Sequence, residues 1–176
     1  MAKLSEKTKE RLKQDRKISL DEHCENLIDA NLKNAMSILL NLLREMKMKP
    51  CWYYSGKYVC KYKKQAVVYI VISKWNCYIR VATVSSLDNT PRNDLDAFVR
   101  TLSPEMNKEF ISNFKPCGAC GHSCAPGIDV EIGGVLHKNV CKENLVYSVR
   151  NPSVEQMKWI EKFIHARRNY IDNYAV

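Results

Sequence analysis

Four cysteines in the second half of the chain constrain its fold more than any other feature. Three of them, Cys117, Cys120 and Cys124, fall within eight residues, and the fourth, Cys141, follows 17 residues later. Zinc binds four thiolates in a tetrahedron, and two cysteines spaced C-x2-C can bind it from one tight turn. The spacing therefore predicts a metal site, with structural zinc as the preferred ion, in a loop that folds back on itself.

The spacing leaves other uses of these cysteines open. An iron–sulfur cluster is the alternative cofactor, although C-x2-C-x3-C does not match the common ferredoxin spacings. Thiols that are simply packed, or a dithiol redox pair at Cys117 and Cys120, are further alternatives. The redox pair is disfavoured because the motif follows a predicted helix instead of opening one. His122 and His137 can each replace a cysteine as ligand, and we leave both outside the predicted set.

The composition indicates a soluble, intracellular protein. The 176-residue chain has 45% hydrophobic and 27% charged residues, which is typical of a globular protein, and it shows no secretory leader and no apolar run long enough to cross a bilayer. We expect residues 18–176 to form one α+β domain and residues 1–17 a basic tail or a frayed helix. Clustered cysteines in such a chain fit a cytoplasmic location, where thiols stay reduced. The other four cysteines are predicted to be small buried hydrophobic residues: Cys24, Cys51, Cys60 and Cys77.

Hydrophobic periodicity predicts a helix followed by strands in the first half of the chain. One long amphipathic helix begins at a capping box, Ser19 and Glu22, and ends before Pro50. Four segments rich in β-branched and aromatic residues follow it, and their short connections favour an antiparallel meander.

The second half is predicted to add helices and further strands. Two helices precede the cysteine loop, a hairpin turns at Gly133–Gly134, and the C-terminal helix begins at a second capping box, Ser153 and Gln156. The expected fold is thus one antiparallel sheet of about five to seven strands packed by helices. The cysteine loop, residues 116–141, is inserted before the last strand and the last helix.

Aromatic and basic residues are interleaved through the predicted strands. Outward aromatic rings can stack on an aromatic ligand while neighbouring cations meet its phosphate or carboxylate. The residues predicted to bind such a ligand are Trp52, Tyr54, Lys57, Tyr62, Trp75 and Arg80. The alternative is an amphipathic sheet without a ligand, in which half of the aromatic residues face the core.

The charge of the chain leaves further functions open. The formal net charge is +9, and the first 17 residues contribute seven Lys or Arg against three Asp or Glu. We expect this excess to be mainly a solvated basic surface, with nucleic-acid binding by the tail and the Lys63-Lys64 turn as the alternative. A thiol redox or metal sensor is another alternative. The sequence contains no evident nucleophile–base pair, paired carboxylates or phosphate-binding glycine loop, so an enzyme is not expected.

One part of the chain resembles a known family. The segment KPCWYYSGK at 49–57, followed by KYKK at 61–64 and VVYIVI at 67–72, is similar to the uncharacterised bacterial DUF3788 and YdhG-like domains. The resemblance covers roughly residues 25–115 and the last helix. It implies a compact antiparallel sheet with helices on one face and a small-molecule groove over the aromatic strands. It assigns no catalytic residue, and the cysteine segment departs from the family pattern.

These features together predict a zinc-stabilised binding or regulatory domain of bacterial type. Its ligand is expected to be an aromatic or anionic small molecule, or a protein partner, bound on the sheet. No membrane partner is expected.

Overall fold

The computed structural model describes residues 5–83, 93–118, 126–141 and 145–174, and this part of the chain has an α+β fold. The helices are α1 (Glu6–Asp15), α2 (Leu20–Glu25), α3 (Ala30–Glu45), α4 (Asn93–Arg100), α5 (Pro104–Ser112) and α6 (Val154–Tyr174). The strands are β1 (Pro50–Tyr54), β2 (Lys57–Tyr62), β3 (Gln65–Ile72), β4 (Cys77–Val81), β5 (Ile128–Ile132), β6 (Val135–Val140) and β7 (Tyr147–Arg150). Across these ranges, none of the helices is long and apolar enough to cross a membrane.

The strands form two antiparallel sheets. Five strands pair in the order β1-β2-β3-β4-β7, which confirms the predicted meander and adds β7 beside β4. The predicted hairpin, β5 and β6, is a separate two-stranded sheet. It is held beside α4, where the Asp96 carboxylate accepts a hydrogen bond from the Gly133 N–H at 2.9 Å.

The helices in the described residues all lie on one side of the five-stranded sheet. α1, α2 and α3 contact strand residues of that side, and α4 and α5 pack against α6, which crosses β3, β4 and β7. The contacts that place them are Arg16 with Trp52, His23 with Tyr58, Met36 with Cys77, Phe98 with Tyr170, and Phe110 with Phe163. The core therefore lies between one face of the sheet and a layer of helices.

Alternate strand residues fill this core, as the two-residue period of a strand requires. The buried strand residues on the helix side include Tyr58, Cys60, Val68, Ile70, Ile79, Val81 and Tyr147. The Tyr147 ring stacks on the Phe163 ring of α6, with the ring centres 4.0 Å apart. Stacked aromatic rings of this size contribute both buried area and a favourable ring–ring geometry.

The prediction of one long helix over residues 19–49 is wrong in one respect, because this segment forms two helices, α2 and α3. Asp29 caps α3, and its carboxylate accepts a hydrogen bond from the Leu32 N–H at 2.9 Å. Between the helices, the Ile28 N–H donates to the Lys74 carbonyl at 3.2 Å. The apolar spacing continues through the break, since residues on both sides of it face the same core, and periodicity alone does not reveal it.

The predicted capping boxes are confirmed in part and the tail contains a helix. The Ser153 hydroxyl accepts from the Gln156 N–H at 3.2 Å, and the Gln156 side chain accepts from the Ser153 N–H at 3.0 Å. At the start of α2, the Ser19 hydroxyl accepts from the Glu22 N–H at 3.1 Å, and the reciprocal bond is not observed among the described contacts.

Residues 6–15 of the basic segment form α1, capped by Ser5.

Three of the four scattered cysteines are buried as predicted, and one is not. Cys24, Cys60 and Cys77 are 4%, 0% and 1% exposed. Cys51 is exposed, so its predicted burial is wrong. It lies on β1, an edge strand, and pairs with Val59 on the side of the sheet that faces away from the helices.

The turn between β1 and β2 depends on a glycine. Gly56 has φ +58°, its carbonyl accepts a hydrogen bond from the Ile72 N–H at 2.7 Å, and a Cβ there would overlap the Ile72 carbonyl oxygen. Gly133, in the β5–β6 turn, has the same φ of +58°, but nothing lies within 4 Å of its Cβ position. The two glycines therefore separate the cost of the left-handed backbone from the cost of a steric overlap.

We expect Gly133→Ala to lower the free energy of unfolding by about 1–2 kcal/mol, the cost of a left-handed alanine. Gly56→Ala should lower it by about 3 kcal/mol or more, because the β3 backbone must also move. Urea unfolding followed by circular dichroism measures both variants against the parent protein. Equal losses in the two variants would contradict the close approach of the turn to β3.

Candidate functional site

The side of the five-stranded sheet that faces away from the helices carries aromatic and basic residues. We call this surface the open face and define it by seven residues: Tyr53, Tyr54, Lys57, Tyr69, Tyr78, Arg80 and Arg150. The five strands that form the sheet contain no Asp or Glu. By the same register this side also carries Cys51, Val59 and Val71, and Val59 is 6% exposed, so the open face combines rings and positive charges with a covered apolar centre and no strand carboxylate.

Strand register places the central residues of the open face next to one another. Tyr69 on β3 lies opposite Arg80 on β4, and Tyr78 on β4 lies opposite Arg150 on β7. Tyr78 and Arg80 are two residues apart on one strand, so they share a face. The Arg80 guanidinium carbon is 5.7 Å from the centre of the Tyr78 ring, which is within the range of a cation–π contact.

A β-bulge at the edge strand adds two tyrosines to the open face. The register of β1 with β2 shifts between Trp52 and Tyr54, so that Tyr53 is an extra residue and Tyr54 pairs with Lys57. The Lys57 ammonium is 5.7 Å from the centre of the Tyr54 ring. Burial raises the pKa of Tyr69, and the neighbouring Tyr53 raises it further. A bulge of this kind sets two residues of β1 against one residue of β2, so Tyr53 lies beside Tyr54 at this edge of the sheet.

The open face is accessible at its edges and partly covered at its centre. Tyr53 is 67% exposed and Tyr54 is 43% exposed, and Lys57 and Arg150 are exposed as well. The remaining members, on β3 and β4, are half-buried. Tyrosine rings held on strands can stack on a flat ligand, and cations beside them attract negative charge.

The structure does not bring the six sequence-predicted ligand residues together on one surface. Three of them, Tyr54, Lys57 and Arg80, belong to the open face. The other three lie elsewhere on the molecule. Their role in ligand binding stays a prediction, and Trp52 and Tyr62 lie on the opposite side of the sheet from the first three.

Trp52 and Tyr62 lie on the helix side of the sheet, and Trp75 lies in a turn. The Trp52 ring is partly buried, 5.8 Å from the guanidinium carbon of Arg16. The Tyr62 hydroxyl donates to the Asp172 carboxylate of α6 at 3.0 Å. Trp75 is 62% exposed in the connection between β3 and β4. Sequence alone does not say which face of a strand is covered, so it could not separate the aromatic residues of the helix side from those of the open face.

Sequence reasoning missed four members of the open face. Tyr69 and Tyr78 alternate with buried residues, so the strand period was a usable indication for both. Tyr53 was missed because the bulge is not evident in the sequence. Arg150 was missed because its place follows from the pairing of β7 with β4.

The structure describes two of the four predicted metal ligands. Cys117 and Cys141 are described, whereas Cys120, Cys124 and His122 lie outside the described residues. Among the residues that are described, no group of three or more His, Cys, Asp or Glu side chains is placed to hold a metal ion. The four-cysteine site therefore stays a prediction.

A short antiparallel pairing brings Cys117 and Cys141 close together. Pro116 forms a β-bridge with Val140, the Cys117 N–H donates to the Asn139 carbonyl at 2.8 Å, and the Cys141 N–H donates to the carbonyl before Pro116 at 3.0 Å. In this register the two cysteines are diagonal neighbours on one face of the pair, a separation of about 7–8 Å between backbones.

Asn139 joins the two ends of the segment 117–127, which lies within the cysteine loop. Its side-chain oxygen accepts a hydrogen bond from the Gly127 N–H at 3.1 Å, and its side-chain nitrogen donates to the Cys117 carbonyl at 3.5 Å. Its φ is +53°, a conformation that asparagine adopts more readily than most residues. The chain between residues 117 and 127 contains the other two cysteines of the motif, so Asn139 holds the ends of that segment side by side.

His137, which was left outside the predicted metal set, packs against an aromatic residue. Its ring meets the Phe114 ring edge-on, with the ring centres 5.4 Å apart. This contact is between β6 and the chain just after α5, and it ties the hairpin to the helix layer.

Comparison with known proteins identifies no relative of this chain. The chain matches no protein-family model, no curated protein and no solved structure. The resemblance to the DUF3788 and YdhG-like domains stays a prediction, and function rests on the geometry described above.

The buried cysteines are poor nucleophiles. Burial raises the pKa of the Cys24, Cys60 and Cys77 thiols to about 12 in each case. These thiols stay protonated at neutral pH, and only the thiolate reacts readily.

We expect iodoacetamide at about pH 8, close to the pKa of a free thiol, to alkylate Cys51 in the folded protein and to leave Cys24, Cys60 and Cys77 unmodified. Cys51 is exposed to the reagent, whereas the other three thiols are buried and have a raised pKa. Peptide mass spectrometry identifies the modified residues, and the same reaction in urea, where all four should react, is the control. Alkylation of Cys60 in the folded state would show that the sheet core is open.

Proposed function

We propose that this protein is a binding domain that holds an anionic ligand with an aromatic group on the open face of its five-stranded sheet. The supporting observation is the composition of that face: four tyrosines and three cations, with no carboxylate in the strands, on the side away from the described helices. Contiguous exposed patches of aromatic residues on a protein surface commonly mark interaction sites.

The rigidity of the strands favours binding. A tyrosine has few rotatable bonds, so fixing it against a ligand costs little conformational entropy. Arg80 and Lys57 are already placed within 6 Å of tyrosine rings, so rings and charges are arranged before a ligand arrives. A ligand whose ring stacks and whose negative charge meets these cations uses both kinds of group.

The alternative site, formed by the basic tail and the Lys63-Lys64 turn, has less support. The Lys63 ammonium is 2.6 Å from the Asp172 carboxylate, so one positive charge of this site is already paired. Arg16, at the end of α1, is directed onto the Trp52 ring. The cations of the open face also have partners, and that face is preferred because two exposed tyrosines and the exposed Lys57 and Arg150 lie on one side of the sheet.

We expect flavin mononucleotide, used as an anionic aromatic probe, to shift the backbone amide resonances of Tyr69 and Tyr78 in a two-dimensional ¹H–¹⁵N titration. Tyr78→Ala should weaken binding by about 1–3 kcal/mol, the usual contribution of an aromatic stack. Tyr174→Ala is the matched control, because that ring is 63% exposed on α6, which lies on the opposite side of the sheet from the open face. Shifts confined to Lys162 and Tyr170, in the groove beside α6, would place the site elsewhere and contradict the proposal.

We further propose that Cys117, Cys120, Cys124 and Cys141 bind one structural zinc ion. The pairing around Pro116 supports this, because it brings the first and last cysteines of the motif to one face of a strand pair. Such an ion joins segments that are distant in sequence and stabilises the folded state over the unfolded chain. Its chemistry is structural, with all four positions taken by thiolates, and the thiol-sensor alternative depends on the same four residues.

We expect protein purified without an affinity metal to contain about one zinc ion per chain by elemental analysis and to be colourless. Cys117→Ser and Cys141→Ser should each remove most of the zinc, whereas Cys51→Ser, at the exposed cysteine outside the motif, should retain it. Asn139→Ala keeps all four thiols and should weaken zinc binding by about 10–100-fold in a chelator competition, as loss of a supporting hydrogen bond does. A brown protein would indicate an iron–sulfur cluster, and a metal-free protein would contradict the site.

A further inference from the structure

We infer that the ligand of the open face is single-stranded nucleic acid, whose bases stack on successive tyrosines while its backbone passes the cations. This inference rests on the proposed function and narrows its ligand to one chemical class. Three features of the open face support it: its width, the distribution of its charges and its construction from strands.

The width of the open face exceeds what one aromatic group can contact. Neighbouring strands are about 4.8 Å apart, so Tyr53 on β1 and Tyr78 on β4 are separated by roughly 14 Å, and Arg150 on β7 lies roughly 19 Å from β1. Tyr69 lies between them on β3. A single base cannot stack on rings spread over this distance, whereas a strand that presents a base at regular intervals can.

The cations are spread among the rings instead of being gathered at one point. Lys57 is on β2, Arg80 is on β4 and Arg150 is on β7. A mononucleotide places its negative charge at one end and would be met best by a cluster of cations. A nucleic-acid backbone carries one charge per nucleotide and matches cations that recur across the sheet, without a carboxylate in the strands to repel it.

The shape of the face favours a single strand over a duplex. In a duplex the bases are stacked on each other and their faces are not accessible to side chains, and base edges are read by elements that enter a groove. The open face is a sheet surface, and side chains standing on strands can accept splayed, unpaired bases. Tyrosine rings stack on every base, so we expect weak sequence preference.

The test is fluorescence anisotropy of a labelled oligouridylate of about ten nucleotides, with unlabelled uridylates of one, two, four and eight nucleotides as competitors. We expect the dissociation constant to fall at least about tenfold from one to four nucleotides, since each further base adds a stack. Tyr53→Ala and Tyr78→Ala should each weaken binding by about fivefold or more, and Tyr53→Phe and Tyr78→Phe should retain it. Between about 50 mM and 200 mM salt, Arg150→Ala should reduce the slope of log K against log salt by about 0.7.

Two variants serve as matched controls. Tyr174→Ala removes a ring that is 63% exposed on α6, and Lys158→Ala removes a cation whose side chain is 75% exposed on the same helix. Both should bind oligouridylate as the parent protein does. Thermal unfolding of every variant separates loss of binding from loss of fold, and the phenylalanine variants keep the test valid if an alanine variant unfolds.

Several results would overturn the inference. Equal dissociation constants for one and eight nucleotides would show a small-molecule site and leave the proposed function intact. Absence of binding at any length would remove nucleic acid as the ligand, while the flavin mononucleotide titration judges the proposed function separately. If oligonucleotide binding is unchanged in the tyrosine variants but lost in Lys63→Ala, the contact is not on the open face. If polyglutamate competes as well as oligouridylate does, the contact depends on charge alone.

Discussion

Burial of one face of the five-stranded sheet beneath α3 and α6 is the constraint on which the rest of the structure depends. Ile70 and Ile79, at the centre of the sheet, are almost completely excluded from water by this layer. A strand exposes alternate residues on opposite faces, so a slip of one residue would exchange the buried set for the outward set. The one-sided core therefore determines both the register and the composition of the open face.

A buried arginine fixes α6 over the strand ends. Arg167 is 1% exposed, and its guanidinium donates to the Thr83 carbonyl at 3.1 Å and to the Gln65 side-chain oxygen at 3.1 Å. A buried charge is costly unless it is hydrogen-bonded, so these bonds hold the helix in one position relative to the start of β3 and the chain after β4. The same helix contacts the stacked Tyr147 ring, and its position in turn keeps β7 beside β4.

The two proposed sites use parts of the molecule that this core leaves free. The open face collects rings and cations because its strand residues do not meet a described helix. Within residues 116–141 the β5–β6 hairpin packs Val130, Ile132 and Val140 into the core, and Asn139 supplies hydrogen bonds to Cys117 and Gly127. A zinc ion at the cysteines would stabilise the folded state further, because it would link the chain on both sides of this hairpin.

The sequence by itself determined the α+β class, the meander of β1 to β4, the hairpin at Gly133 and the cap of α6, because these follow from turn residues and from periods of two or 3.6 residues among near neighbours. Only the tertiary structure decided that Tyr53 and Tyr69 face away from the helices while Trp52 faces them, and that Arg150 lies beside Tyr78. It also decided the break between α2 and α3 and the approach of Cys117 to Cys141. Each of these depends on which distant segments pair and which face of the sheet is covered, and local patterns do not carry that information.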